Sequence, residues 1–322
     1  MRNPPGASCS DEEFIKLFTT IGPTKLAKKF DISVRGVFKR RDRLEQYYKN
    51  VLHTPNLSRE RRVHAVEHPP RYQIEVNDGV VLVGADAHIW PGPKSTAMRA
   101  FIKFCKGVDG ERPKAVIMNG DVLDFPQISR HLPIGWETLP TVENEIESAQ
   151  DILSEIEKAT FKAEKIWCLG NHDGRFETRL ANLAPEYAKV HGVHLRDHFP
   201  NWTPCWSTWI NDDTVIKHRF KGGIHAVYNN TVQSGTHIVT GHLHSAKVTP
   251  FTDYNGTRYG VDTGCLAETF ARAFTDYMEE NPRNWRSAFC VLTYYKGKLL
   301  IPELVLTLDE EHVQFRGKVI SV

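Results

Sequence analysis

Ala115-Val116-Ile117-Met118-Asn119-Gly120-Asp121-Val122-Leu123-Asp124 decides the fold: four apolar residues of strand type run into a glycine turn carrying two carboxylates. The same grammar recurs along the chain. Val80–Val83 leads to Asp86-Ala87-His88, and Ile166–Leu169 leads to Gly170-Asn171-His172-Asp173. Thr214-Val215-Ile216-Lys217 leads to His218, and His237-Ile238-Val239-Thr240 leads to Gly241-His242-Leu243-His244. In an open α/β sheet the strand ends converge on one edge, so these carboxylate, amide and imidazole groups can meet in space although the chain separates them widely.

Such a set suits a pair of divalent cations. Two close cations repel, which favours a shared anionic ligand, and Asp121 is the choice for it. Mixed carboxylate and imidazole donors suit manganese, iron or zinc better than magnesium or calcium. None of the signatures contains cysteine, which speaks against a structural zinc site.

The five elements, in this order, resemble the calcineurin-like metallophosphoesterase superfamily, whose pattern reads D-x-H, G-D-x-x-D, G-N-H-D/E, H and G-H-x-H. The resemblance covers residues 86–244 directly. It implies a four-layer α/β/β/α sandwich and two bound divalent metal ions, with manganese first and iron, zinc, nickel or magnesium as alternatives. It also implies hydrolysis of a phosphate ester by a metal-activated water attacking in line. By the same resemblance Asp86, His88 and His244 hold one ion, Asn171, His218 and His242 hold the other, and Asp121 bridges them. His172 becomes the general acid, and Asp173 orients it. Asp124 reads as a supporting group rather than a ligand. His225 is the alternative to His218, which is preferred because it ends a strand-like run.

The chain has 322 residues, 25% charged and 40% hydrophobic, as expected of an ordinary globular protein. No apolar run approaches the ~20 residues that span a bilayer. Met1–Ser10 has no apolar signal region, so a cytoplasmic location and no membrane partner are expected. The six cysteines are scattered and form no C-x-x-C, which fits a reducing compartment. The net charge of +2 is uneven: residues 1–72 hold 15 Lys/Arg and 8 Asp/Glu, whereas the remainder is net acidic.

Residues 1–50 read as a small all-α module of three short helices. Ser10 with Glu13 caps the first, Gly22-Pro23 ends it, a second runs over Thr24–Phe30, and Ser33 caps the third. The third helix turns Val34, Val37, Phe38 and Leu44 inward, with Arg35, Lys39, Arg40 and Arg43 on the other side. This resembles a helix-turn-helix with DNA as partner; a docking module, with a homodimer as one outcome, is the alternative. Residues 51–72 read as a linker and 73–322 as the catalytic domain.

Within that domain the loop Phe125–Pro140, with Arg130, His131 and Trp136, is a candidate substrate wall. Arg175 is a candidate phosphate contact. Trp202, Trp206 and Trp209 read as strand residues packing a core, with base stacking as the alternative. The basic N-terminal module favours a DNA nuclease or end-processing phosphodiesterase of the SbcD-like branch. The alternative substrate is a small molecule such as a cyclic nucleotide.

Overall fold

The computed structural model describes residues 9–48, 52, 68–131, 138–269 and 283–322. The chain divides into two compact units, residues 1–66 and 67–322.

In the first unit, helix α1 (Asp11–Lys29) starts where Ser10 Oγ accepts the Glu13 amide at 3.1 Å. It kinks at Gly22, whose φ of 81° lies outside the helical region, and Pro23 opens its second half. Helix α2 (Val34–Tyr48) begins with Ser33 Oγ accepting the Gly36 amide at 3.0 Å. Phe14, Phe18, Leu26, Ala27, Val37 and Leu44 form the core of this unit. Arg35 and Lys39 are exposed. Arg40 is not part of that basic face. Its guanidinium lies 4.7 Å above the Phe14 ring, donates to Cys9 O at 2.8 Å and pairs with Asp11 Oδ1 at 2.7 Å, so it ties the module together. Arg43 is half exposed, 3.6 Å from Asp11.

The second unit holds two sheets among its described residues. One has the strand order β15-β14-β13-β11-β2-β3-β4-β5, with β12 paired to β11. Its strands are β2 (Gly79–Gly84), β3 (Ala115–Met118), β4 (Glu164–Cys168), β5 (Thr203–Cys205), β11 (Ala288–Tyr295), β12 (Lys298–Leu299), β13 (Glu303–Thr307), β14 (His312–Phe315) and β15 (Lys318–Ser321). The other has the order β1-β6-β7-β8-β10-β9, from β1 (Tyr72–Ile74), β6 (Thr208–Ile210), β7 (Thr214–Ile216), β8 (His237–Thr240), β9 (Lys247–Asp253) and β10 (Gly256–Asp262).

Alternation along β2 builds the layers. Val81 and Val83 face the second sheet, packing with Ile117, Ile166, Ile216 and Val239. Val80 and Leu82 face outward onto α3 (Thr96–Cys105) and α4 (Val142–Ala159), through Phe101, Phe104, Leu153 and Ile156. Helix α6 (Ala226–Ser234) covers the outer side of β8, β9 and β10. The result is a four-layer α/β/β/α sandwich.

Residues 68–71, read as linker, are held by the second unit: Trp206 N donates to Pro69 O at 3.1 Å and Ser207 Oγ to Pro70 O at 2.9 Å. The rest of the expected linker, apart from Leu52, lies outside the described residues. The tryptophan stretch divides between the sheets, because the chain leaves β5 and enters β6 across Trp206-Ser207. Trp202 is buried, and Trp206 is 51% exposed. Among the described residues no helix is long and apolar enough to cross a membrane.

Candidate metal centre

Strands β2, β3 and β4 are mutually parallel, as are β7 and β8, and the signatures leave their C-terminal ends. Asp86 N donates to Gly120 O at 2.9 Å and His88 N to Asp121 O at 3.1 Å, knitting the first two signature loops together. Asp86, His88, Asp121, His242 and His244 all have φ between 41° and 72°, in the left-handed region. Side chains other than glycine adopt that region at a cost, and active sites are where such strain persists. The signature glycines allow close approach. A Cβ at Gly170 would lie 2.1 Å from Asp121 Oδ1, and one at Gly241 would lie 2.5 Å from Asp86 Oδ2.

The expected ligands come together. Donor atoms of Asp86, His88 and His244 lie within 4.8 Å of one another, as do those of Asp121, His218 and His242. The two sets touch: Asp86 Oδ1 is 3.1 Å from His244 Nε2 and 3.9 Å from His218 Nε2, and Asp121 Oδ2 is 3.0 Å from His218 Nε2. His218 Nδ1 lies 2.8 Å from Asn119 O, which assigns the proton to Nδ1 and turns Nε2 into the site. His218, not the exposed His225, is therefore the histidine brought to the site.

These residues fit a pair of divalent cations. Asn171 Oδ1 is a buried polar atom without a hydrogen-bond partner, and buried polar atoms are rarely left so. The carboxylate, amide and imidazole donors suit first-row metals. The electrostatics agree. Burial opposes charge on Asp121, yet the hydrogen bond and charge of His218 hold its carboxyl well below the usual range. Burial likewise opposes charge on His218, but Asp86 and Asp121 push it up to about 9. Burial and the His218 charge push His242 down to about 4, and Arg219 adds to the effect.

His172 lies beside these donors, its Nε2 3.8 Å from Asp121 Oδ2 and its amide donating to Asp121 Oδ1 at 2.7 Å. The expected orienting role of Asp173 is corrected. Asp124 Oδ1 meets His172 Nδ1 at 2.6 Å and also reaches His88 Nδ1 at 3.3 Å, while Trp90 Nε1 donates to Asp124 Oδ2 at 3.2 Å. Asp173 is a scaffold beneath the site. It accepts the amides of Asp121, Val122, Leu123 and Gly170 and the Trp167 indole N–H, at 2.8–3.3 Å. It can do so because it opens helix α5 (Asp173–Leu183), where its side chain lies under the Gly120–Asp124 loop.

Arg175 Nη1 donates to Asp124 O at 2.7 Å, and Nη2 is 3.1 Å from His172 Nε2, so its charge faces the donor cluster. His131 and Arg175 line a cleft of about 1820 Å³ above the site, together with Trp90 and Trp285. Arg130 does not line it; its Nε contacts His131 Nε2 at 3.4 Å. Trp136 lies outside the described residues. Glu145, Trp90 and Trp285 were not foreseen from sequence. Trp285 stands 4.9 Å from His244, ring to ring.

No family model matches the chain. Over 236 residues, 64% of this chain and 87% of the relative, it is 24% identical to the Gene 54 protein of Mycobacterium phage L5. Among solved structures it is similar to a single mutant of Vps29 from Entamoeba histolytica, at a TM-score of 0.35 and 15% identity over 76% of this chain and 97% of that one. It is also similar to a structure described as a novel archaeal phosphodiesterase, at a TM-score of 0.36 and 16% identity over 71% of this chain and 100% of that one. With both scores this low, the fold rests on the strand order and layers described above.

Proposed function

We propose that the protein is a divalent-metal-dependent phosphodiesterase acting on DNA. The observation that carries the reading is the meeting of two donor sets across Asp86 and Asp121 at one sheet edge. Asp86, His88 and His244 would hold one ion, Asn171, His218 and His242 the other, and Asp121 would be shared. When bound, such a pair polarises a phosphoryl group and makes water a strong nucleophile at neutral pH.

The protein's own groups supply the rest. Asp124 fixes Nδ1 of His172 and so aims Nε2, which lies 3.1 Å from Arg175 Nη2; once a phosphate accepts from that guanidinium, Nε2 would be released to hold a proton for the departing oxygen. Arg175, beside that nitrogen, offers a guanidinium to a non-bridging phosphate oxygen. The cleft of about 1820 Å³ exceeds the ~300–1,000 Å³ typical of small-ligand pockets, which favours an extended substrate. The basic first unit, with Arg35 and Lys39 exposed on α2, favours a polyanion.

The test is hydrolysis of end-labelled single- and double-stranded DNA with Mn²⁺, using Asp121→Asn as blank. Cleavage by the wild type alone supports the reading. Turnover of bis-p-nitrophenyl phosphate without DNA cleavage would move the substrate to a small molecule, and equal activity in Asp121→Asn would remove the metal assignment.

A further inference from the structure

From Thr214 to Thr252 the chain contains no aspartate or glutamate, although 39 of the 322 residues are acidic and a stretch this long would on average hold about five. It carries Lys217, Arg219, Lys221 and Lys247, and it includes three of the seven proposed ligands. Immediately after His218 the loop of residues 219–225 is exposed throughout, within a unit whose other charges are net acidic.

Large apolar side chains stand out in the same place. Phe220 is 42% exposed, Ile224 82% and Tyr228 50%. Lys217 Nζ and Lys221 Nζ each lie 5.5 Å from the centre of the Phe220 ring. The Tyr228 ring lies 6.1 Å from Phe251, which carries the Arg258 guanidinium at 4.6 Å. The loop continues from the metal centre, because Arg219 directly follows the proposed ligand His218 in the chain.

Cations alternating with exposed rings match the chemistry of a single nucleic-acid strand: ammonium and guanidinium groups follow the phosphates, and rings take the faces of unpaired bases. A duplex keeps its bases stacked internally and has no use for such rings. We infer that the surface formed by residues 217–228 is the track that leads a single-stranded nucleic acid into the metal centre. This rests on the phosphodiesterase reading and narrows its substrate to strands with unpaired bases next to the scissile phosphate.

The test uses the full-length chain in EDTA, so that binding is read without hydrolysis. Anisotropy of a labelled oligo-dT is followed across a salt series for wild type and for Phe220→Ala/Lys221→Ala. The variant should bind about tenfold more weakly, with a salt slope shallower by about 0.7. Unchanged affinity and slope, or an equal loss on duplex of the same length, would overturn the inference. Because the first unit is also basic, a photoreactive oligonucleotide carrying 5-iodouracil gives a second readout. Cross-links mapping to residues 217–228 support the track, and cross-links confined to residues 1–66 overturn it. Failure of the wild type to hydrolyse bis-p-nitrophenyl phosphate with Mn²⁺ would instead sink the phosphodiesterase reading, whatever the binding shows.

Discussion

The carboxylate of Asp124 lies 2.6 Å from His172 Nδ1, while Asp173, adjacent to His172 in sequence, spends its oxygens on four backbone amides and an indole. The two aspartates should therefore fail differently. Asp124→Asn should lower kcat on a phosphodiester by about 10–100-fold, the range for groups that orient a functional imidazole, and leave the melting temperature nearly unchanged. Asp173→Asn replaces an acceptor of five hydrogen bonds by a group that also donates, and should lower the melting temperature. Calorimetry and steady-state kinetics on both variants check this; a larger kcat loss in a fully stable Asp173→Asn protein would restore Asp173 as the orienting residue.

Gly170→Ala should be among the most damaging single-methyl changes in the chain. The added Cβ would meet Asp121 Oδ1 at 2.1 Å and the Asp121 amide nitrogen at 2.4 Å. Overpacking of this kind costs about 1–3 kcal/mol, and here it also displaces the Asp121 carboxylate. The expected result is a lower unfolding midpoint together with weaker Mn²⁺ binding by titration calorimetry. Wild-type affinity in the variant would mean that the loops can separate without cost.

Glu145 gives a pH dependence of known sign. It is fully buried on α4, and its Oε1 accepts the amides of Phe125 at 2.8 Å and Asp124 at 3.3 Å. Burial pushes its carboxyl up from 4.5 to about 8, more strongly than these amides pull it down. Between those values the folded protein keeps a proton that the unfolded chain has lost. Stability is therefore highest below about 4.5 as far as this group is concerned, and it falls by roughly 1.4 kcal/mol per pH unit until about 8. Glu145→Gln removes that slope, so its stability relative to wild type should rise steadily in urea titrations from pH 5 to pH 8. A constant difference would show that Glu145 is ionised in the fold.

In the first unit, Arg40→Ala should destabilise the helices, since its guanidinium joins Cys9, Asp11 and Phe14. Hydrogen bonds to a charged group contribute about 1.5–3 kcal/mol. Arg35→Ala and Lys39→Ala should leave the fold intact and weaken DNA binding, each lowering the salt slope by about 1 on duplex. Circular dichroism melts and binding isotherms separate the two classes of residue; a stable Arg40→Ala protein with lost DNA affinity would reverse the assignment.

The strand-to-loop signatures were legible because each joins a short apolar run of strand type to residues whose chemistry has few other uses, and β2, β3, β4, β7 and β8 all end within one residue of those runs. The three- and four-residue spacing of Ile146, Ala149, Leu153 and Ile156 in the sequence also marks the buried face of α4. It could not show that Glu145, among the acidic residues of the same helix, turns inward to cap the loop after Asp121. Arg40 was misread for a related reason: helical spacing sorts residues onto faces but does not reveal a cation reaching across to the preceding helix. Asp124 and His172 are 48 positions apart and meet through the pairing of β3 with β4. Sequence adjacency instead suggested Asp173, whose place at the start of α5 directs it elsewhere.

The left-handed backbone at Asp86, His88, Asp121, His242 and His244 bears on how this protein would evolve in the laboratory. Strain of that sort is kept only while function demands the side chain. A library sorted purely for resistance to protease, with no substrate or metal supplied, should drift towards glycine at those five positions. Survival statistics would then mark out the candidate metal centre, since the residues a stability screen discards first are the ones that binding a metal would have to retain.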